Sequence, residues 1–304
     1  MTIILRIGIW RPFLCRHYSS TIPKDKNIVP VDLDYTLGIP PDGNKTEKPL
    51  VILHGLFGSK RNWNSLTKAF VSDLKRPVYA LDLRNHGTSP HVAPMTYEHM
   101  AADVSHFFAK HNLQDASLLG HSMGGKVAMA VALSHASSNT DQRIGLSNVI
   151  VADIAPVRAA LSEDFVKYIQ AMLKIEQTGL KTRSEAANVL EDYEKDPDVR
   201  QFLLTNLVIP PAFSPDRLKF QIPVSLLNES ISALGSFPYE PGECSWSGRT
   251  LVIKGSKSKY INRLNLPILQ TFFPNARLEV LEAGHWVHAE KPHEFKKLVV
   301  NFVR

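Results

Sequence analysis

Cysteine is almost missing from this chain: two residues in 304, Cys15 and Cys244. Two thiols cannot build a disulfide framework, and neither stands at metal-ligand spacing, so the fold must rest on its core and a reducing compartment is the natural setting. Long apolar runs are missing too. With no stretch of about 18 uncharged apolar residues, no membrane span is expected. Charge of one sign is scarce once its distribution is considered. The net +6 comes from 35 Lys and Arg against 29 Asp and Glu, yet residues 1–24 hold Arg6, Arg11, Arg16 and Lys24 with no acid. Without them 31 bases face 29 acids, a balance of +2. A nearly neutral body lacking a basic stripe with interleaved aromatics argues against a phosphate-backbone partner, so no nucleic acid is expected. With 44% hydrophobic and 21% charged residues the composition is that of a globular protein, and the chain can bury a sizeable core.

The leader "MTIILRIGIWRPFLCRHYSS" mixes arginines with large apolar residues and ends in hydroxyl residues. A secretory signal would carry its charge ahead of one uninterrupted apolar core, so this composition predicts a mitochondrial import segment instead. "RHYSS" resembles a matrix-processing pattern that would cut after Tyr18. The expected organisation is an import segment and linker over 1–24 and one domain over 25–304, in the mitochondrial matrix.

Past the leader, short apolar runs alternate with helical periodicity. "LVILHG" (50–55), "VYALDL" (78–83), "ASLLGH" and "SNVIVADI" (147–154) suit strands covered on both faces. "NWNSLTKAFVSDL" and "YEHMAADVSHFFAKHN" lie between them with apolar residues at helical spacing. This order predicts an α/β fold built on a doubly wound, mostly parallel sheet. The alternation stops near Pro156, and residues 157 to about 248 read as helices and loops, a helical lid inserted before the penultimate strand. "RTLVIKG", "RLEVLEAG" and a closing helix "PHEFKKLVVNFVR" complete the chain.

Chemistry concentrates at strand ends. "GHSMG" holds Gly120, Ser122 and Gly124 between an apolar run and a small-residue helix, the pattern of a nucleophile elbow. A serine needs a base, and the base needs an acid to orient it. His285, directly behind Gly284 at the end of the last strand, is the expected base; His288 is its rival. His54 and His86, beside turn glycines, suit local hydrogen bonds. The acid is harder to find. After the penultimate strand "KGSKSKYIN" has no carboxylate, and Ser256 and Ser258 stand where one is usual. Asp153 closes "NVIVAD" at a strand's carboxyl end, where such sheets act, and is the expected acid; Glu282 is the alternative. The oxyanion hole needs two backbone amides, from Met123 after the nucleophile and from Leu56, or alternatively Phe57, in "LHGLFGSK". Asp82, Arg84 and Gly87 of "DLRNHGTSP" read as scaffold.

Together "LHGLFGSKRNW", "LRNHGTSPH", "GHSMGGKVAMAVAL", "VADIAPVRA" with "YIQAM", "RQFLLTNL" and "AGHWVHAEKP" resemble the eleventh α/β-hydrolase-domain family, mitochondrial serine hydrolases related to small bacterial esterases and yeast ethanol acetyltransferases. The resemblance runs from about residue 32 to the end. It implies the α/β-hydrolase fold, with Ser122 as nucleophile, Asp153 as acid and His285 as base, and it makes the serine-bearing turn "GSKSKYI" a family trait. The expected function is hydrolysis of a small-molecule carboxylic ester or acyl thioester, with no metal or cofactor required. Acyl transfer to a small alcohol is the alternative acceptor chemistry, and a non-catalytic binding or protective role for another mitochondrial protein is the alternative of a different class. Chain length of the acyl group and oligomeric state do not follow from the motifs.

Overall fold

A computed structural model describes residues 28–137, 145–211 and 216–304. The expected import segment and its processing point lie outside these residues. Strands and helices follow in the order β1 (Tyr35–Gly38), β2 (Leu50–Leu53), α1 (Asn64–Leu74), β3 (Val78–Leu81), α2 (Tyr97–Lys110), β4 (Ala116–His121), α3 (Met123–Ser137) and β5 (Leu146–Ala152). An inserted segment comes next, with α4 (Glu163–Thr178), α5 (Arg183–Glu191), α6 (Pro197–Leu204), β6 (Leu207–Val208), β7 (Lys219–Phe220), α7 (Val224–Glu229) and α8 (Ile231–Gly235). The chain then returns through β8 (Arg249–Gly255), α9 (Leu266–Phe272), β9 (Ala276–Leu281), α10 (Val287–Glu290) and α11 (Pro292–Val303).

Seven strands form one sheet in the order β1-β3-β2-β4-β5-β8-β9. Every neighbouring pair is parallel except β1 with β3. The doubly wound, mostly parallel sheet that the alternation predicts is thus present, in keeping with the fold that the resemblance implies. β1 went unread in the sequence because an antiparallel edge strand needs no crossover helix, and its four half-buried residues carry no apolar run. The inserted segment is mostly helical, and its β6–β7 pair stands apart from the main sheet.

Period-two alternation divides the core between the two faces of the sheet. Val51, Leu53, Tyr79, Leu81, Leu118, Val149 and Val151 pack toward α2, α3 and the inserted segment. Leu50, Ile52, Val78, Ala80, Leu119, Ile150 and Ile253 pack toward Phe70 of α1 and Phe295 and Val299 of α11. Helix α3 is buried continuously from Met123 to Leu133. That explains the small and apolar composition of this stretch, since no side of it meets water. Its one charge, Lys126, lies one turn beyond the helix start and gives its Nζ protons to the carbonyls of Val157 (2.9 Å), Ser236 (2.8 Å) and Gly235 (3.3 Å). Burial pulls its pKa down to about 8. The ammonium thereby ties α3 to both ends of the inserted segment. Among the described residues no helix is long and apolar enough to cross a membrane.

Close backbone approach at the start of α3 fixes two glycines. A Cβ on Gly120 would lie 2.1 Å from the Gly124 carbonyl oxygen, and one on Gly124 would lie 2.5 Å from that of His54. Both obstacles are backbone, so nothing flexible can yield. Gly120→Ala is expected to lower stability by about 3 kcal/mol, the upper range of overpacking penalties. Equilibrium urea unfolding of the variant against wild type measures it, and an unchanged midpoint would contradict the contact.

Candidate active site

Three parallel strand ends supply the side chains. Ser122 follows β4 and Asp153 follows β5, and each keeps its amide in the sheet: Ser122 N donates to Ala152 O (3.0 Å) and Asp153 N to Ile253 O (2.9 Å). Each then turns into the left-handed region, with φ of +52° at both residues. For a non-glycine residue this conformation costs on the order of 1–3 kcal/mol and persists where its surroundings enforce it. Here it lifts both side chains over the carboxyl edge of the sheet.

His285, from the loop after β9, lies between them. Its Nε2 is 3.0 Å from Ser122 Oγ and its Nδ1 is 2.8 Å from Asp153 Oδ2. An ionised Asp153 only accepts, so Nδ1 carries the proton and Nε2 is the nitrogen free to take one from Ser122. Asp153 is fully buried and its carboxylate is satisfied on every side. Gly255 N donates to Oδ1 (2.9 Å), while Ser258 Oγ donates a short hydrogen bond to Oδ2 beside that of His285. Such charge-assisted bonds make a buried carboxylate tolerable. Ser258 therefore holds the Asp153 carboxylate.

The alternatives weighed from sequence fall elsewhere. Glu282 faces solvent near Lys257 Nζ (3.9 Å). His288 is buried with its ring stacked on Trp63, centroids 4.3 Å apart and planes 8° from parallel. Phe57 N donates to His86 Nε2 (3.2 Å) and so is occupied. The amides of Leu56 and Met123 have no protein acceptor among the described residues, and both residues line a cavity of about 230 Å³ that begins at Ser122.

Two positioning contacts escaped the sequence reading. Tyr260 covers one face of the His285 ring at 4.2 Å between centroids, and His121 Nε2 donates to the His285 carbonyl (3.0 Å). "KSKYIN" and "GHS" carry no periodicity that marks either role; only proximity across the folded chain reveals them. The loop of Leu56 and Phe57 is also held from two directions, since Phe57 N donates to His86 Nε2 and Asn206 of the inserted segment donates to Phe57 O (2.7 Å).

Scaffold residues behave as such. Lys60 gives its amide (2.7 Å) and Nζ (2.6 Å) to Asp82, and Thr88 N adds a third bond (2.9 Å). Burial opposes the Asp82 charge, but the bonds from Lys60 and Thr88 outweigh it and hold the pKa below the usual carboxylate range. Arg84 forks onto buried Asp103 at 2.5 and 2.6 Å. His54 Nε2 accepts from Leu83 N (3.0 Å), leaving Nδ1 to donate to Gly55 O (2.8 Å).

His86 and His288 are buried so completely that their pKa values fall to about 3, with nearby His54 and His285, respectively, adding to the effect. In the unfolded chain both return to about 6.5. Because the folded values are depressed, their contribution is complete above pH about 6.5 and is lost as pH falls toward 3, by up to about 1.4 kcal/mol per pH unit for each group. Urea unfolding between pH 7.5 and 4.5 is expected to show this fall. His288→Phe, which keeps an aromatic ring against Trp63 but cannot titrate, is expected to flatten the dependence; a slope unchanged in that variant would contradict the assignment.

A sequence-family model described as the alpha/beta hydrolase fold matches residues 48–292. The chain belongs to the α/β-hydrolase family. This α/β-hydrolase is 39% identical to the sn-1-specific diacylglycerol lipase ABHD11 of Xenopus tropicalis, over 95% of its own length and 88% of that protein. It is 35% identical to a Saccharomyces cerevisiae protein named "Probable alcohol acetyltransferase", over 97% and 90% of the two chains. Among solved structures it is similar to a "Marine microorganism esterase", with a TM-score of 0.77, 32% identity, and coverage of 90% of this chain and 99% of that one.

Proposed function

We propose that this α/β-hydrolase cleaves carboxylic esters or acyl thioesters through a Ser122–His285–Asp153 relay and an acyl-enzyme. The observation that carries the reading is the His285 imidazole, bonded to Ser122 Oγ at 3.0 Å on one side and to Asp153 Oδ2 at 2.8 Å on the other. His285 takes the Ser122 proton as Oγ attacks the carbonyl carbon, and the Leu56 and Met123 amides receive the oxyanion. The imidazolium, stabilised by Asp153, then protonates the leaving oxygen or sulfur. Water attacks the acyl-enzyme by the same route in reverse roles. The cavity beside Ser122, walled by Ile154, Val157, Phe165 and Leu234, suits an apolar acyl group. A relative named as a diacylglycerol lipase supports lipid esters as the substrate class.

A relative named as an alcohol acetyltransferase favours a second reading, in which a small alcohol replaces water. Incubation with acetyl-CoA and ethanol separates the two. Acetate in excess of ethyl acetate supports hydrolysis, and the opposite ratio supports transfer. A folded protein that forms neither product and resists fluorophosphonate labelling would sink both and move a non-catalytic binding role forward. From the basic, acid-free composition of residues 1–24 we also infer import into mitochondria with cleavage after Tyr18; mature protein from isolated mitochondria still beginning at Met1 would overturn that.

A further inference from the structure

The two margins of the sheet differ in how they meet solvent. At one, all four residues of β1 are half-buried, and the Tyr35 ring lies against those of Phe107 and His111 at 5.2 and 5.0 Å between centroids. At the other, β9 leaves Leu278 37% and Val280 55% exposed. Two residues apart on a strand, they stand on one face of it. The backbone beside them faces outward as well. Ser256 N donates to Leu281 O (2.8 Å), so the polar groups of Leu281 point toward β8. Alternation along a parallel ladder then turns those of Arg277 and Glu279 inward and those of Leu278 and Val280 outward. Among the described residues nothing pairs with Leu278 or Val280 across that edge. Such an edge invites another strand unless proline, a bulge or charge deters it. β9 contains no proline, and its register with β8 runs unbroken from Ala276 to Leu281. Its charges, Arg277 and Glu279, are of opposite sign, and this decides what the edge accepts.

We propose that the edge of β9 pairs with β9 of a second copy of this chain, antiparallel, about a two-fold axis at Leu278. In that register Leu278 lies opposite its own copy, and the two exchange both backbone hydrogen bonds. Ala276 lies opposite Val280; its N–H is held by Phe273 O (3.0 Å), but its carbonyl is open to the Val280 N–H of the other copy. Arg277 lies opposite Glu279, twice per dimer, as the non-hydrogen-bonded kind of pair in which side chains come closest. Within one chain the two already attract, with Arg277 Nε 2.6 Å from Glu279 Oε1, so both sit on the same side of the strand. A two-fold axis keeps each side chain on its own side of the joined sheet. Moving the axis by one residue therefore brings it to Arg277 or to Glu279. The first sets arginine against arginine and the second glutamate against glutamate, and like charges facing across a ladder are unfavourable. Of the three registers, the one centred on Leu278 is self-complementary. Two seven-stranded sheets then run on as one, and Leu278 and Val280 are covered by their counterparts.

Sedimentation velocity of the full chain over a concentration series reads the association. A strand of six residues makes a short seam, so a dissociation constant on the order of micromolar is expected, and the series spans it. Hydrogen–deuterium exchange at the two ends of the series locates the seam, since the amides of Leu278 and Val280 should exchange more slowly in the dimer. Arg277→Glu sets like charges opposite each other twice and is expected to raise the dissociation constant by about tenfold or more. Adding Glu279→Arg to it should restore the wild-type value, because the same pairs return with their signs exchanged. Leu278→Lys, at an exposed position, places two ammonium groups face to face on the axis and should leave monomer throughout; it tests the seam by itself should Arg277→Glu not fold. Circular dichroism of each variant should match wild type. A wild-type chain that stays monomeric across the series would overturn the proposal. So would a dimer whose constant neither Arg277→Glu nor Leu278→Lys moves, or one that the double exchange fails to restore, since its interface or its register would then be a different one.

Discussion

Ser122→Ala is expected to lower kcat by about 10⁴- to 10⁶-fold and to abolish fluorophosphonate labelling, with the fold intact. The loss is large because, among the described residues, no other hydroxyl bonds to His285 Nε2. The fold should survive because alanine removes a single oxygen whose one side-chain partner is that imidazole, and it accepts the same +52° φ at no greater strain than serine. Residual activity should remain above the uncatalysed rate, since the Leu56 and Met123 amides and the cavity are untouched. A variant retaining more than about a tenth of wild-type turnover would mean that the chemistry runs through another group.

Asp153→Asn is expected to lower kcat by about 10⁴-fold while leaving melting behaviour nearly unchanged. The reason lies in the count of donors around the carboxylate. Gly255 N, Ser258 Oγ and His285 Nδ1 all donate to Asp153, which as a carboxylate can accept from every one of them. Asparagine has one accepting oxygen. With that oxygen kept on Gly255, its NH₂ group faces His285 and forces the proton from Nδ1 to Nε2, the tautomer that cannot take a proton from Ser122. The negative charge that stabilises imidazolium is lost as well. Ser258→Ala provides the contrast, because it removes one of three donors and neither the charge nor the tautomer. A loss of about tenfold or less is expected, in keeping with one hydrogen bond. If Ser258→Ala were as damaging as Asp153→Asn, the serine would have a role beyond holding the acid.

The strand ends were legible in the sequence because parallel strands buried on both faces leave unbroken apolar runs, and the residue that closes a run stands at the sheet's edge. Ser122 and Asp153 occupy such positions, His285 lies in the loop after the last strand, and the three converge in space. What lay beyond reach was contact between distant stretches. "KGSKSKYIN" announces that a carboxylate is missing, but the bond from Ser258 to Asp153 spans 105 positions and depends on β8 lying beside β5. Leu56 and Phe57 are inseparable as neighbours in sequence. They part only when Phe57, at a φ of +62°, turns its amide to His86. Trp63 and His288 carry no sign that they will stack.

Ser122 and Asp153 each stand one residue beyond partners on adjacent strands, for His121 pairs with Ala152 in the β4–β5 register. Their separation is therefore inherited from the rung spacing of the sheet, about 4.8 Å between strands, and owes nothing to loop conformation. With Asp153 one strand nearer Ser122 than a carboxylate after β8 would be, the turn that Ser258 occupies is released from supplying a carboxylate. The site and the inserted segment that walls its cavity become separable inheritances: the helices from residue 157 to 248 can be remodelled while the two side chains above β4 and β5 keep their distance.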